Sequence, residues 1–310
     1  ARIPRRGYQA NYYAMFSSLF AGIVTDPRQM LVPVDDHLVH RGDGVFEVFK
    51  CVNGNIYNLQ AHLKRLHNST KRLYLTPPFG MKQIARIVVE TVRAGGRRDC
   101  SIHLFVSRGP GSFSVNPYDC PRPQMYVTVV KLGRPFMEEH PEGARVKSSA
   151  VPIKPPFFAG VKSCNYLPNA LMKKEAVDSG MDFMAGFDER GFLAEGASEN
   201  MGIVTKRGEL LFPKLEHILA GTTMFRVIDL ANRLVKAGDL ARVGFADISH
   251  QDIRAAAEML IVGTTLNVAA VREFDGRKVG NGKPGPVYRS LSGILLHDIR
   301  HNRKVLTPVF

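Results

Sequence analysis

The chain has 310 residues, of which 45% are hydrophobic and 23% are charged. This composition is typical of a folded protein, and the length suits two domains of about 150 residues, so nothing in it suggests a disordered chain. The net charge of +14 would suit a nucleic-acid partner. However, the lysines and arginines are scattered apart from short pairs such as Arg97-Arg98, so we expect no nucleic-acid binding.

Apolar runs and cysteines add two further exclusions. The longest apolar stretch, residues 14–24, is shorter than the about 20 residues that span a bilayer, and it contains serines and a glycine, so no membrane segment is expected. Cys51, Cys100, Cys120 and Cys164 form no CxxC pair, which predicts neither a metal site nor a disulfide framework. Reduced thiols are typical of the cytoplasm, and we expect that location.

Strand and helix patterns alternate in the first half and predict an α+β domain over residues 1–148. Runs of β-branched and aromatic residues predict strands at 46–52, 56–59, 102–106 and 125–130. The pair Asn53-Gly54 between the first two runs is a hairpin signal. Helical spacing of apolar residues predicts helices over 60–74 and 81–94.

Prolines indicate a connector at residues 149–158, because Pro152, Pro155 and Pro156 disfavour a helix there. Residues 159–310 are predicted to form a second domain of mixed α and β structure. We expect its strands at 183–187, 202–205 and 259–262, and a helix over 222–237 that begins with threonines.

Two runs in the second half contain residues suited to chemistry. Lys162 opens the run KSCNYLPN, and Glu195 opens the run EGASEN. A lysine amine can form a Schiff base with an aldehyde cofactor, and a carboxylate can hold a pyridine nitrogen protonated so that the ring accepts electrons. Taken singly, either residue is more often a solvated surface charge.

Several separated segments, taken together and in order, carry a resemblance to a known family. Besides the two runs above, they are DHLVHRGDGVFE at 36–47, HLKRL at 62–66, LAGTT at 219–223 and GTT at 263–265. On these segments the chain resembles the class IV (fold type IV) pyridoxal 5'-phosphate (PLP) dependent aminotransferases, closest to the branch of D-amino acid transaminases and aminodeoxychorismate lyases. The resemblance covers nearly the whole chain. It implies an α/β and α+β fold with a smaller N-terminal α+β domain and a larger C-terminal, barrel-like, PLP-binding α/β domain.

The resemblance also implies roles for individual residues around PLP. Lys162 is the catalytic residue, which forms the Schiff base and moves a proton during the reaction. Glu195 pairs with the pyridine nitrogen, and Glu199 is the competitor for that role. The other cofactor-binding residues implied are Arg65, Thr222, Thr223 and Thr264 for the phosphate, Tyr166 for the phenolic oxygen and Leu219 for the ring face.

Substrate recognition is less distinct in the sequence. Residues 42–50 resemble the D-amino acid transaminases, but Phe46 stands where those enzymes have a tyrosine, and residues 107–113 lack their Arg-x-His. An arginine can bind a carboxylate through two hydrogen bonds, so nearby arginines are candidates. The predicted substrate-binding residues are Phe46, Arg41, Arg108, His40 and Thr265.

We therefore expect a PLP-dependent transaminase that moves an amino group from an amino acid, with D-amino acids favoured, to a 2-keto acid by a ping-pong mechanism. The resemblance implies a homodimer or larger homo-oligomer, with a loop of the partner closing each site. Three alternatives stay open: an aminodeoxychorismate lyase that releases pyruvate, a branched-chain L-amino acid aminotransferase, and a non-catalytic basic binding protein.

Overall fold

The computed structural model describes residues 4–310, which divide into two compact units. Unit 1 consists of the described residues of Ala1–Gly133 together with Val161–Asn165 and Ile299–Phe310. Unit 2 consists of Arg134–Gly160 and Tyr166–Asp298. Residues 1–3 of the predicted first domain lie outside the described residues.

The described secondary structure alternates strands and helices along both units. The strands are β1 (Tyr12–Ser17), β2 (Gly22–Val24), β3 (Gly44–Val52), β4 (Asn55–Tyr57), β5 (Cys100–Ser107), β6 (Gln124–Val130), β7 (Ala144–Ser148), β8 (Phe183–Ala185), β9 (Asn200–Val204), β10 (Glu209–Pro213), β11 (Arg242–Ala246), β12 (Glu258–Gly263), β13 (Asn267–Phe274), β14 (Arg277–Lys278) and β15 (Leu306–Pro308). The α-helices are α1 (His37–His40), α2 (Leu59–Arg72), α3 (Met81–Gly95), α4 (Phe136–Glu139), α5 (Pro156–Ala159), α6 (Leu167–Asp178), α7 (Thr222–Ala237), α8 (His250–Ala255) and α9 (Pro286–His301). Short 3-10 helices cover Gly7–Asn11, Pro27–Gln29 and Pro117–Asp119.

Unit 1 is built on an antiparallel sheet with the strand order β15-β4-β3-β5-β6-β1-β2. Side chains of a strand alternate between the two faces of its sheet, so every second residue of β3 points to the same side. Val45, Phe49 and Cys51 lie in one apolar core with leucines of α2 and isoleucines of α3. The alternate residues of β3, beginning with Phe46, therefore lie on the opposite face of the sheet.

The predicted hairpin and helices of unit 1 are present, with small shifts at their ends. Asn53 and Gly54 have φ of 51° and 77°, which is the conformation that a tight two-residue hairpin needs and that this pair of residues adopts readily. The second strand is shorter than predicted, because Leu59 begins α2 instead of ending the strand. The apolar stripes of α2 and α3 explain why periodicity found both helices.

Unit 2 is built on a mixed sheet with the order β11-β10-β9-β12-β13-β7-β8, and β14 pairs with β13. The pairs β10–β11, β13–β7 and β7–β8 are parallel, whereas β9 and β12 pair antiparallel with their neighbours. The predicted helix over 222–237 matches α7 at both ends. Within residues 4–310, no helix combines the length and apolar character that crossing a membrane requires.

The two units exchange segments, whereas the sequence predicts two domains in chain order around a connector at residues 149–158. The chain before that connector already belongs to unit 2, because β7 hydrogen-bonds to β13 and β8. Val161–Asn165 returns to unit 1, where Ser163 forms a bridge with Val45. The C-terminal strand β15 pairs with β4. Pairing between distant strands decides these exchanges, and local periodicity does not encode it.

Gly285, directly before α9, lies against a buried carboxylate. Glu258 of β12 accepts hydrogen bonds from the backbone N–H groups of Val287 at 2.8 Å and Tyr288 at 2.9 Å, so it caps the first turn of α9. A Cβ added at Gly285 would collide with the carboxyl group of Glu258. The contact therefore requires glycine at this position.

Gly285→Ala should destabilise the protein by about 2 kcal/mol or more, because the added methyl group must displace a buried, hydrogen-bonded charge. Gly293→Ala is the matched control: it lies in the exposed part of α9, and a Cβ there meets nothing within 4 Å. We expect this control to stabilise the protein by about 0.5–1 kcal/mol, since alanine favours a helix over glycine. Thermal melting measures both variants, and equal melting of Gly285→Ala and wild type would contradict the capping role.

Candidate active site

The predicted site residues fall in both units, and each group is described within its own unit. In unit 1 they are Lys162, Arg65, Phe46, Arg41, His40 and Arg108. In unit 2 they are Tyr166, Glu195, Leu219, Thr222, Thr223, Thr264 and Thr265.

Lys162 is positioned by backbone hydrogen bonds to β3. The N–H of Phe46 donates to the carbonyl oxygen of Lys162 at 2.9 Å, and the N–H of Cys164 donates to the carbonyl of Gly44 at 2.8 Å. The N–H of Lys162 donates to Ser69 Oγ at 3.3 Å. The segment thus runs antiparallel beside the start of β3, which fixes the backbone from which the lysine side chain extends.

The Lys162 side chain is held in a mostly buried environment. The residue is only 8% exposed, and its Nζ lies 4.3 Å from the centre of the Phe46 ring, a favourable position for an ammonium group. The charge of Lys162 also affects the pKa of His103. Burial lowers that pKa, and the positive charge of Lys162 lowers it further. A primary amine shielded from water beside aromatic rings is suited to act as a nucleophile and proton carrier.

A buried ionic network lies on the opposite face of β3. Glu47 is fully buried and accepts hydrogen bonds from Arg65 Nε at 2.8 Å and Arg65 Nη2 at 2.7 Å. His62 Nδ1 lies 2.8 Å from Glu47 Oε2 and completes the network. Burial alone would raise the pKa of Glu47, but the charge and hydrogen bonds of Arg65 and the hydrogen bond from His62 outweigh it and lower the pKa to about 2.

The network fixes the orientation of Arg65, the residue predicted to bind phosphate. Its Nε and Nη2 form a two-bond pairing with Glu47, and Nη1 is the guanidinium nitrogen outside that pairing. Burial lowers the pKa of His62, so the imidazole is neutral near pH 7 and its Nδ1–H donates to the carboxylate. Glu47 and His62 both lie within the sequence motifs, but the motifs predicted no role for either residue. The available signal was a glutamate at a core-facing position of a strand, which requires a buried cation as partner.

In unit 2, Glu195 is tied to the segment that precedes α7. Its Oε2 accepts a hydrogen bond from the N–H of Leu219 at 2.9 Å. Asn200 Nδ2 donates to the carbonyl of the same leucine at 3.0 Å, and a Cβ at Gly221 would collide with Asn200 Oδ1. The structure therefore brings Glu195 and Leu219 together within unit 2.

Glu199, the competitor for the role of Glu195, has local partners instead. Its carboxylate accepts hydrogen bonds from the N–H of Ser198 at 3.0 Å and from Ser198 Oγ at 2.5 Å. These bonds turn the side chain toward its own loop. The partner of Glu195 lies in the segment before α7, whereas the partner of Glu199 is its own neighbour Ser198.

The start of α7 has the character of an anion site. Gly221 is the N-cap and provides no side-chain cap, so the N–H groups of the first turn and the positive end of the helix dipole suit a phosphate. Thr222 and Thr223 occupy that turn and are buried. Thr264 is half-buried and Thr265 is exposed in the turn after β12.

Tyr166 is the N-cap residue of α6, and its ring is half-buried. Lys154 Nζ lies 4.6 Å from the centre of this ring. Burial lowers the pKa of Lys154, while the charge of Glu195 opposes that shift. Lys154 was not predicted as a site residue, since it lies in the proline-rich segment that we interpreted as a connector.

The two candidate arginines for substrate binding have different partners. Arg108 pairs with Asp43 through Nε and Nη2, both at 3.0 Å, and also donates to the carbonyls of Leu73 and Tyr74 at the end of α2. Arg41 is exposed and donates to the carbonyls of His40 at 2.9 Å and Phe113 at 2.5 Å.

His40 and Phe46 complete the predicted substrate contacts of unit 1. The rings of His40 and Phe113 lie 5.2 Å apart, so His40 supports the same loop that Arg41 contacts. Phe46 is half-buried and stacks with Phe105 at 6.0 Å. The structure therefore brings Phe46 to Lys162, and places His40 and Arg41 together at the end of α1.

Replacing Glu47 by glutamine keeps the shape of the side chain but leaves the cation of Arg65 without its buried partner. We expect Glu47→Gln to cost about 3–5 kcal/mol at pH 7, as is typical for one half of a buried ion pair. The pKa of Glu47 falls from 4.5 to about 2 on folding, so the wild type has this stabilisation above about pH 4.5 and loses it as the pH falls toward 2.

The stability difference between wild type and Glu47→Gln should therefore be smaller at pH 3 than at pH 7, as measured by urea unfolding. Glu90→Gln is the control, because Glu90 is an exposed residue of α3 and its replacement should change stability by less than about 0.5 kcal/mol. A difference that is equal at both pH values would show that the charge of Glu47 does not stabilise the fold.

Comparison with known proteins identifies the family of the chain. Residues 44–274 match the model of the family described as amino-transferase class IV. The chain is 39% identical over 311 residues to the chloroplastic D-amino-acid transaminase of Arabidopsis thaliana, covering 99% of this chain and 82% of that relative. It is 31% identical over 271 residues to a putative branched-chain-amino-acid aminotransferase of Methanocaldococcus jannaschii, covering 87% of this chain and 92% of that relative.

The fold also matches solved structures. A branched-chain amino acid aminotransferase from T.th. with pyridoxamine 5'-phosphate superposes with a TM-score of 0.88 at 28% identity, covering 96% of this chain and 99% of that structure. The fold class expected from the sequence is thus confirmed. The chain belongs to the class IV aminotransferases, enzymes of fold type IV that use PLP to transfer an amino group.

Proposed function

We propose that this aminotransferase moves the amino group of a D-amino acid to a 2-keto acid by a ping-pong exchange. The observation that carries the proposal is the buried amine of Lys162 beside Phe46, in a chain that is 39% identical to a D-amino-acid transaminase. A ping-pong exchange follows from a cofactor that stores the amino group between two half-reactions.

The residues of the chain fit PLP. Lys162 provides a shielded amine, Glu195 a carboxylate held by Leu219, and Gly221 a helix start without a side-chain cap. When bound, the cofactor supplies an aldehyde that takes up the amino group and a ring that withdraws electrons from the substrate α-carbon.

Each residue has a proposed role that follows from its chemistry. The Lys162 amine holds the cofactor and carries a proton at Nζ, and the Glu195 carboxylate keeps the pyridine nitrogen protonated. We assign the phosphate to Arg65, Thr222, Thr223 and Thr264, the phenolic oxygen to Tyr166, and the ring face to Leu219. Glu47 supports the phosphate assignment indirectly, because it fixes Arg65 in one orientation.

For the substrate carboxylate we propose Arg41 before Arg108. Arg108 already pairs with the carboxylate of Asp43, and a substrate would have to compete with that charge. The partners found for Arg41 are neutral carbonyls, which a carboxylate displaces more readily because charge-assisted hydrogen bonds are stronger. His40, Phe46 and Thr265 are proposed as accompanying contacts.

A branched-chain L-amino acid aminotransferase is the second candidate. It is favoured by the M. jannaschii relative and by the solved structure from T.th., both described as branched-chain aminotransferases. We also propose a homodimer, in line with the resemblance. The Arabidopsis relative is described as chloroplastic, so the cytoplasmic location that we expected stays a prediction.

Lys162→Ala should abolish both the visible absorption band of the bound cofactor and transamination, because it removes the amine proposed to hold the aldehyde and to carry the proton. Lys64→Ala is the control, since Lys64 is an exposed residue of α2, and its spectrum should match the wild type. Circular dichroism checks that both variants are folded. Retained turnover in Lys162→Ala would show that another residue performs the role.

The wild type should prefer D-alanine over L-leucine as amino donor, with 2-oxoglutarate as acceptor. Arg41→Lys should raise the KM for the donor about tenfold or more with a smaller change in kcat, because a lysine cannot make the two-bond contact of a guanidinium. Arg108→Lys should lower the melting temperature, because the partners of Arg108 are Asp43 and the end of α2. Its KM for the donor should rise less than that of Arg41→Lys.

The same assay separates the alternatives. Preference for L-leucine would establish the branched-chain function, and pyruvate formed from aminodeoxychorismate without a keto acid would establish the lyase. A KM that is unchanged in Arg41→Lys and raised in Arg108→Lys would reverse the assignment of the arginines.

A further inference from the structure

A small pocket of about 20 Å³ lies beside Glu195 in unit 2. Its walls include Asn169, His217 and Lys154 together with the glutamate, and apolar side chains and prolines form the rest. A water molecule needs roughly 10–15 Å³ of such space and two or more polar partners. The pocket therefore has room for one water molecule and is far too small for an amino acid or a pyridine ring.

Two of the residues that line this pocket have a buried polar atom without a partner. Asn169 Oδ1 and His217 Nδ1 are both buried and find no hydrogen-bond partner among the described residues. The amide of Asn169 is oriented, because its Nδ2 donates to the carbonyl of Ala197 at 2.6 Å. Buried polar atoms in folded proteins are almost always satisfied by protein or by ordered water, so these two atoms indicate a bound molecule.

The other ring nitrogen of His217 faces a carboxylate. Its Nε2 lies 4.0 Å from Asp188 Oδ2, which is beyond hydrogen-bond distance. Asp188 is buried and accepts hydrogen bonds from the N–H groups of Arg190 at 3.0 Å and Phe192 at 2.8 Å, so it is a fixed carboxylate. The imidazole thus makes no hydrogen bond to Asp188 at Nε2, and its Nδ1 is buried without a protein partner, so a water molecule would complete the hydrogen bonding of an Nδ1–H.

We propose that one ordered water molecule occupies this pocket, donates hydrogen bonds to Asn169 Oδ1 and the Glu195 carboxylate, and accepts one from the Nδ1–H of His217. Asn169 and His217 are then positioning residues that act on Glu195 through the water. This step rests on the proposed function, in which Glu195 serves the pyridine nitrogen of PLP.

The water would add to the hydrogen bond that Glu195 Oε2 already accepts from Leu219. A carboxylate that accepts further hydrogen bonds from fixed donors keeps its charge and its direction. Lys154 contributes a positive charge at the same pocket, and its pKa responds to Glu195. The pocket is therefore a support for the charge of Glu195 and not a second substrate site.

Two substitutions of His217 separate the two ring nitrogens. In His217→Asn the amide nitrogen occupies nearly the place of Nδ1, so a donor to the water is retained. In His217→Gln the longer side chain reaches the place of Nε2, so the contact with Asp188 is retained and the donor to the water is lost. If His217 acted only through its contact with Asp188, His217→Asn would lower kcat and His217→Gln would not. We expect the opposite result.

A high-resolution crystal structure of the PLP-loaded wild type should show the water within hydrogen-bond distance of Asn169 Oδ1, His217 Nδ1 and Glu195. His217→Asn should keep the water and a kcat within about threefold of wild type. His217→Gln should lose the water and lower kcat about tenfold, the effect of one lost hydrogen bond, while the donor KM and the Kd for PLP stay within about threefold. Glu195→Gln is the reference and should lower kcat further.

Asn169→Leu provides a second test if His217→Gln folds poorly. It removes the acceptor and fills the pocket with apolar atoms, and the same loss of kcat at unchanged PLP affinity is expected. A dry pocket in the wild type, or a His217→Gln enzyme as fast as wild type, would overturn the inference while leaving the aminotransferase intact. A wild type that takes up no PLP would instead overturn the proposed function, and water in its pocket would still support the binding site.

Discussion

The ion pair between Glu47 and Arg65 joins strand β3 of unit 1 to helix α2, which packs on it. A fully buried carboxylate is stable only with such a partner, so the register of β3 against α2 is set by this contact as well as by apolar packing. The neighbouring side chain of the strand, Phe46, points to the opposite face and meets Lys162. A slip of one residue would exchange the two faces, so a single register positions both the arginine and the lysine.

In unit 2, hydrogen bonds to the backbone, and not a buried ion pair, fix the position of the candidate site residues. Glu195 and Asn200 bind the N–H and the carbonyl of Leu219, which fixes the loop that leads into α7. The close approach of Asn200 at Gly221 leaves no space for a side chain there, and the helix begins without a side-chain cap, which suits an anion. The Glu195 carboxylate and the start of α7 are therefore linked through one hydrogen-bonded loop. The water proposed beside Glu195 would add a further hydrogen bond to it.

The residues that we propose for the cofactor and those that we propose for the substrate lie in different parts of the chain. The proposed amine, carboxylate and helix start suit the common chemistry of PLP. The proposed substrate contacts are Phe46 and the arginines near α1 and the end of β5, where the chain departs from the D-amino acid transaminases that it otherwise resembles. Arg108 already pairs with Asp43, so a substrate carboxylate would have to compete with that charge.

The sequence by itself determined the elements that depend on neighbouring residues. The hairpin at Asn53-Gly54 and the helices α2, α3 and α7 follow from turn chemistry and apolar periodicity, whereas the choice of Lys162 and Glu195 follows from the resemblance of several segments to the family. Only the tertiary structure decided which segments each unit takes from the other, which cation neutralises Glu47, and which carboxylate occupies Arg108. Those outcomes depend on strand pairing and on desolvation of charges between residues far apart in the chain, and local patterns do not identify the partner in either case.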